Sequence, residues 1–381
     1  MKKFISLIII IISAFTGVLL MGCAQKAVPK GIESLTKTGS MELKYADQFS
    51  VDYYEGGYKL LTIADTDRFL IVPEGAEAPE GLPSDVSVLK QPINNIYLAA
   101  TACMCLFDAL DGLDSLRLSG TKADGWYIEN ARKAMEEGKI LFAGKYSEPD
   151  YELMLKEGCP LAIESTMINH ASDVAEKLKE LGIAVLIDHS GYESHPLGRT
   201  EWIKLYGALI NKEDLAEELF STQLGYLEDT IEQEPTGKTV AFFTISSSGN
   251  VVARKSGDYL SRMIELAGGK YVFENLGDPQ SKSSTETIEM ETFFATAKDA
   301  DIIIYNNTIG STATTLEELM DKSDLLPEFK AVQTGQVWCT QENMFQESTQ
   351  IGQMIQSFHT IFSGKADEEG LDEVPFLYRL K

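Results

Sequence analysis

The chain has 381 residues, with 58 acidic against 33 basic side chains for a formal net charge of -25, and 44% of it is hydrophobic. So acidic a chain lacks the clustered Lys and Arg that phosphate backbones need, which excludes nucleic acid as a partner, and its apolar content excludes a disordered chain. The length suggests two domains.

Lys2 and Lys3 precede an uncharged run over residues 4–21, followed by Gly22 and Cys23. A cationic start, an apolar core and a small residue before the cut describe an export signal over 1–22. The run is also about as long as a membrane-spanning helix, which takes roughly 20 apolar residues. Leu20-Met21-Gly22-Cys23 resembles the lipobox of bacterial lipoproteins, with a leucine three residues before the cysteine. That resemblance implies cleavage before Cys23, a diacyl (palmitate) anchor on Cys23, and retention on the outer face of the cell membrane. Residues 23–40, with Pro29, Gly31 and Gly39, read as a flexible tether.

Residues 41–74 alternate as strands do, and 41–49, 58–63 and 68–72 are predicted as an antiparallel meander. From Asn95 strands and helices alternate: strands at 96–99, 116–120, 140–143, 161–164 and 184–188, helices at 101–110, 126–137, 150–156 and 171–181. Such alternation means βαβ units and a parallel sheet covered by helices. The N-terminal α/β lobe, meander included, spans 41–194. Linking helices at 197–209 and 212–233 occupy 195–236. A second alternation fills 237–381, with strands at 240–245, 301–305 and 336–340, a strand or loop at 271–273, and helices at 258–267, 289–296, 315–320 and 350–362. The predicted fold class is α/β: two Rossmann-like lobes joined by a long rigid helix, with a small N-terminal β meander. Two facing lobes make a cleft, where ligands sit by default.

With Cys23 lipidated, Cys103, Cys105, Cys159 and Cys339 remain, at spacings that fit neither a disulfide framework nor a zinc site. They read as buried reduced thiols, with oxidation of a pair left open. The four histidines are His170, His189, His195 and His359. There is no G-x-S-x-G, P-loop or H-E-x-x-H motif, and the chain is not read as an enzyme.

Several stretches, in order, resemble the helical-backbone substrate-binding proteins of ABC importers for iron–siderophore complexes, corrinoids and haem. They are residues 146–152 before the strand at 161–164, Pro196-Leu197-Gly198-Arg199-Thr200-Glu201-Trp202, Ser256-Gly257-Asp258-Tyr259-Leu260 running to Gly268-Gly269, and Glu291 before Ala300-Asp301-Ile302-Ile303. The resemblance covers about 95–362. It implies an extracytoplasmic receptor that takes a metal chelate (an iron–siderophore first), a corrinoid or haem between its lobes. It also implies an ABC permease dimer with its ATPase as partner, docked through one exposed glutamate per lobe, Glu152 and Glu291. The lipid on Cys23 is the one covalently bound group expected. A surface adhesin or sensor partner with the same fold is the alternative.

Ligands of open α/β sheets lie beyond the carboxyl ends of strands, which selects the candidate contacts. Thr101–105 opens a helix, either as ligand contact or as cap and core. Trp126 and Tyr127 suit a flat ring or anchor a helix start. Tyr146 and Ser165 follow the next strands. His189, Tyr192, Glu193, His195 and Arg199 form the densest polar cluster, in which Arg199 either clamps an anion bidentately or pairs with Glu193. In the second lobe the candidates are Ser247, Arg254, Trp338 and Met344.

Overall fold

The computed structural model describes residues 30–278 and 283–381; the export signal and Cys23 lie outside the described residues. No helix among the described residues is long and apolar enough to cross a membrane.

The N-terminal strands are β1 (Lys37–Ser40), β2 (Phe49–Tyr54), β3 (Lys59–Ile63), β4 (Asp67–Val72) and β5 (Val86–Lys90). They form one sheet in that order, antiparallel as far as β4, with β5 joining β4 in parallel. Two expectations need correction. Residues 37–40 of the expected tether are an edge strand, exposed throughout. Residues 41–48, expected as a strand, are a loop, because the backbone N–H groups of 44–48 face carboxylates instead of a neighbouring strand.

The first lobe has a parallel sheet in the order β12-β11-β6-β7-β8. Its strands are β6 (Ile96–Leu98), β7 (Leu116–Ser119), β8 (Leu141–Phe142), β11 (Leu161–Ser165) and β12 (Ala184–Asp188). A small hairpin of β9 (Gly144–Lys145) and β10 (Glu148–Pro149) follows β8. Helices α1 (Met104–Ala109), α2 (Glu129–Glu136), α3 (Tyr151–Lys156) and α4 (Ser172–Glu180) connect the strands. Apart from Arg117, Glu164 and Asp188 the strands are largely apolar on both faces, as helix-covered parallel strands tend to be.

The link is a pair of helices, not one long helix: α5 (Pro196–Ile210) and α6 (Glu213–Ile231). Asn211 adopts the left-handed conformation (φ 59°) and ends α5. So short a turn folds α6 back along α5. Gly207 permits the approach, since a Cβ there would lie 2.7 Å from the Ala216 Cβ.

The N-terminal sheet pins this bend. Lys59 Nζ donates to the Ala208 carbonyl and to Asn211 Oδ1, both at 2.8 Å, and pairs with Glu213. Gln91 Nε2 donates to Asn211 Oδ1 at 2.8 Å and to the Leu209 carbonyl at 3.2 Å. A cation is thus placed where the α5 dipole is negative and its last carbonyls lack helical partners. The loop over 44–48 is fastened to the same helix. Fully buried Glu201 accepts from the N–H groups of Lys44 (2.8 Å), Tyr45 (2.8 Å) and Ala46 (2.9 Å), with Lys204 Nζ at 3.3 Å. Glu193 accepts from the N–H groups of Asp47 (2.9 Å) and Gln48 (3.2 Å) and from Trp202 Nε1 (2.7 Å).

The second lobe has a mixed sheet in the order β16-β14-β13-β17-β18-β20-β19, with β15 sharing the β14 edge of β13. The strands are β13 (Thr239–Ile245), β14 (Val251–Arg254), β15 (Lys270–Tyr271), β16 (Thr285–Ile288), β17 (Ile302–Tyr305), β18 (Val337–Thr340), β19 (Glu373–Val374) and β20 (Leu377–Arg379). The helices are α7 (Tyr259–Leu266), α8 (Met290–Ala297), α9 (Leu316–Met320), α10 (Lys330–Gln333), α11 (Ile351–Phe362) and α12 (Lys365–Glu368). α11 packs on α6 at Gly352, where a Cβ would fall 2.1 Å from the Gln223 carbonyl oxygen. One continuous apolar core runs from β2 and β3 through α5 to the second sheet.

Candidate ligand site at the lobe junction

The first lobe's contribution starts where β12 ends. Asp188 is buried and accepts from Tyr206 OH at 2.6 Å, from Cys103 Sγ at 3.1 Å, and from the N–H (3.0 Å) and hydroxyl of Ser190. Burial, then the Asp188 charge, push the Cys103 thiol well up, so it stays protonated. This network fixes the turn Ser190–Tyr192, where the His189 and Tyr192 rings meet edge to face at 5.4 Å. His195 caps α5 by accepting the Leu197 N–H at Nδ1 (3.2 Å) and stacks on Tyr45 at 3.9 Å. Burial, with Arg262 adding to it, lowers its pKa to about 4, so it is neutral at physiological pH.

Arg199 then projects from the first turn of α5 towards the second lobe. Its guanidinium lies over the Tyr259 ring at 3.6 Å, and one terminal nitrogen donates to the Gly191 carbonyl at 2.8 Å. Its Nε is buried with no hydrogen-bond partner. Arg199 does not pair with Glu193, whose carboxylate is taken up by the 47–48 backbone and Trp202. Burial still raises the Glu193 pKa to about 7, against those hydrogen bonds.

The second lobe's contribution is the start of α7. Asp258 caps the helix through the Leu260 N–H at 3.0 Å. Arg254 lies 3.8 Å from Asp258 and 5.2 Å from the Phe345 ring centre. Burial raises the Asp258 pKa, although Arg254 and Arg199 both oppose it.

Between these parts lies a cavity of about 370 Å³, bounded by His189, Tyr192 and Arg199 on one side and by Lys255, Tyr259 and Ser284 on the other. Gln48 and Ala64, which flank strands of the N-terminal sheet, complete its wall. The volume falls in the usual range for small-molecule sites, about 300–1,000 Å³. A larger cavity of about 590 Å³ lies between the 41–44 loop and α6, with no wall from the second lobe. Only the smaller one sits between the lobes, so it is the candidate site.

The structure brings His189, Tyr192 and Arg199 together here, with Arg254 beside them. Met344, 3% exposed, borders a small adjoining void with Arg199 and Tyr259. Two candidates are corrected. Trp126 is 1% and Trp338 0% exposed, so both are core and offer a ligand no surface. The run expected to be a helix from 126 begins only at α2, which sends Trp126 inward and leaves Tyr127 48% exposed. Tyr146 is half-buried and packs on the apolar face of the first lobe's sheet. Half-buried Ser165 caps the turn Thr166–His170 by accepting the Met167 N–H at 3.3 Å. Ser247 is exposed in the turn between β13 and β14. Glu152 and Glu291 are exposed, each in the first turn of its helix, α3 and α8. All four remaining cysteines are free and buried.

Sequence reasoning missed Lys255, Asp258 and Tyr259 as wall residues, having taken 256–260 only as a helix start. It missed Gln48 and Ala64 because they belong to the meander. Glu164 is the fourth residue of β11 and fully buried, with neither oxygen bonded.

Known proteins resemble this chain in sequence and fold. The family model described as periplasmic binding protein matches residues 112–343. An uncharacterized lipoprotein of Methanocaldococcus jannaschii is 26% identical over 343 residues, covering 84% of this chain and 80% of its own. Among solved structures, the periplasmic haem-binding protein HutB of Vibrio cholerae has a TM-score of 0.57 at 17% identity, over 69% of this chain and 98% of its own. The periplasmic vitamin B12-binding protein BtuF of Vibrio cholerae has a TM-score of 0.51 at 15% identity, over 70% and 96%. The chain belongs to the periplasmic binding protein family. Members of this family are substrate-binding proteins and not enzymes.

Proposed function

We propose that the chain is the lipid-anchored, extracytoplasmic substrate-binding protein of an ABC importer. The observation that carries this reading is the cavity walled by both lobes, at the junction of two α/β units tied by a helix pair. The ligand class favoured is an anionic metal chelate such as an iron–siderophore, ahead of a corrinoid or haem. Arg199 and Lys255 bring cationic groups from opposite sides, and planar guanidinium groups match carboxylates bidentately. Cys23 would carry the anchor, and a tether keeps the receptor at high effective concentration near its permease.

Thermal-shift screening of the purified protein against ferric siderophores, corrinoids and haem tests the ligand class. One class should raise the melting temperature, since a ligand bound only by the folded state stabilises it by about 2.7 kcal/mol at a hundredfold excess over Kd. No shift with any of the three overturns the ligand assignment.

Permease docking has its own test. Glu152 and Glu291 are exposed on different lobes, where paired charges set register and encounter more than affinity. The double variant Glu152→Ala, Glu291→Ala is expected to bind ligand as the wild type does and to lose uptake at least tenfold. Uptake at the wild-type rate would assign these residues to ordinary solvated helix surface, and would leave room for the adhesin or sensor reading.

A further inference from the structure

The segment between β18 and α11 reaches across to the first lobe with two side chains. Ser348 stays near the helical link: its hydroxyl donates to the Ala102 carbonyl, and its own carbonyl accepts from Thr200 Oγ1 on α5, both at 2.8 Å. Gln346 lies at the loop that follows β7. Its Nε2 donates to the Gly125 carbonyl and its Oε1 accepts the Tyr127 N–H, both at 2.9 Å. One side-chain amide thus uses donor and acceptor together, as facing residues of two strands do. The loop at 125–127 cannot leave the second lobe without losing both bonds.

That loop carries two aromatics with opposite fates. Trp126 is locked in the core, and Tyr127 is 48% exposed. The backbone N–H of Tyr127 is the group Gln346 holds. We propose that Gln346 is a latch: it fastens the loop after β7 to the second lobe, closes this edge of the junction, and fixes the backbone from which Tyr127 projects. Ser348, bonded to the linking helix, is the pivot that stays in place when the latch releases. The inference goes beyond the transport reading and does not need it, because no ligand enters the test.

Hydrogen exchange read at single amides, on the full chain purified in detergent, tests it. Replacement Gln346→Ala should speed exchange of the Tyr127 amide at least tenfold. Amides of α6 and the melting temperature should stay as in the wild type. Gln346→Glu keeps an acceptor for the Tyr127 N–H but loses the donor to Gly125, so its exchange should fall between the two. Two results overturn the latch. One is unchanged Tyr127 exchange in Gln346→Ala. The other is an acceleration spread evenly over α6 and both lobes, which is general loss of stability.

Discussion

Replacing Glu164 by Gln is expected to stabilise the folded chain by several kcal/mol at pH 8 and to change little at pH 5. Glu164 alternates with Ile163 on β11 and so shares the face of Ala162, an apolar face that also holds Tyr97, Met154 and Leu178. It is fully buried, neither oxygen has a partner, and burial raises its pKa from 4.5 to about 8. A carboxyl whose pKa is higher folded than unfolded holds its proton longer in the folded state. Its contribution is therefore fully present below pH 4.5 and is lost as pH rises to about 8. At about 1.36 kcal/mol per pH unit between the two titrations, the loss reaches roughly 5 kcal/mol at most. Gln has nearly the shape of the protonated acid and no such slope. Urea unfolding of both proteins at pH 5, 6.5 and 8 measures the difference, which should widen with pH. Glu193 titrates similarly in both proteins, so it cancels. Parallel curves would mean that Glu164 reaches solvent in the native state.

Glu201→Ala is expected to cost about 3–5 kcal/mol, the range for removing one partner of a buried charge pair. The carboxylate serves three backbone N–H groups of the 44–46 loop and faces Lys204. Without it those part-buried donors lose their acceptor and must turn to water. Lys204 keeps Glu217 at 2.8 Å, which limits the damage. Glu201→Gln retains one acceptor oxygen and should lose less than half as much. Denaturant midpoints give the stabilities, and a protease cut within 41–48 in the Ala variant alone would show that the loop has come free. Equal stability of wild type and Glu201→Ala would remove the fastening role.

Much of the fold was legible because parallel strands announce themselves as apolar runs between helices. The strands at 184–188 and 302–305 and the helices α4 and α11 fall where their apolar periods and terminal glycines put them. The short polar elements were not legible. β14 and β16 follow or precede turns and pair antiparallel at a sheet edge, where most of their residues are only partly buried and the apolar signal is weak. The loop at 41–48 looked like a strand because Met41, Leu43 and Tyr45 alternate with polar residues. What it pairs with, Glu193 and Glu201, lies some 150 positions away in sequence, and no local pattern encodes that. The site was half visible for the same reason. Polar residues after β12 stood out as a cluster, whereas the side chains they face come from α7 and the meander.

The bend between α5 and α6 has a mechanical side. Its cationic pin, Lys59, sits on the central strand of the N-terminal sheet, and that sheet is what the chain meets first after Lys30. A pull applied at the N-terminal end must first break the Gly31–Glu80 backbone bond and then peel β1, an edge strand held on one side only. Peeling breaks backbone bonds one after another, and shearing would have to break them together. Under a pull from that end β1 therefore yields before the bend does, and the two lobes keep their relative setting while it peels.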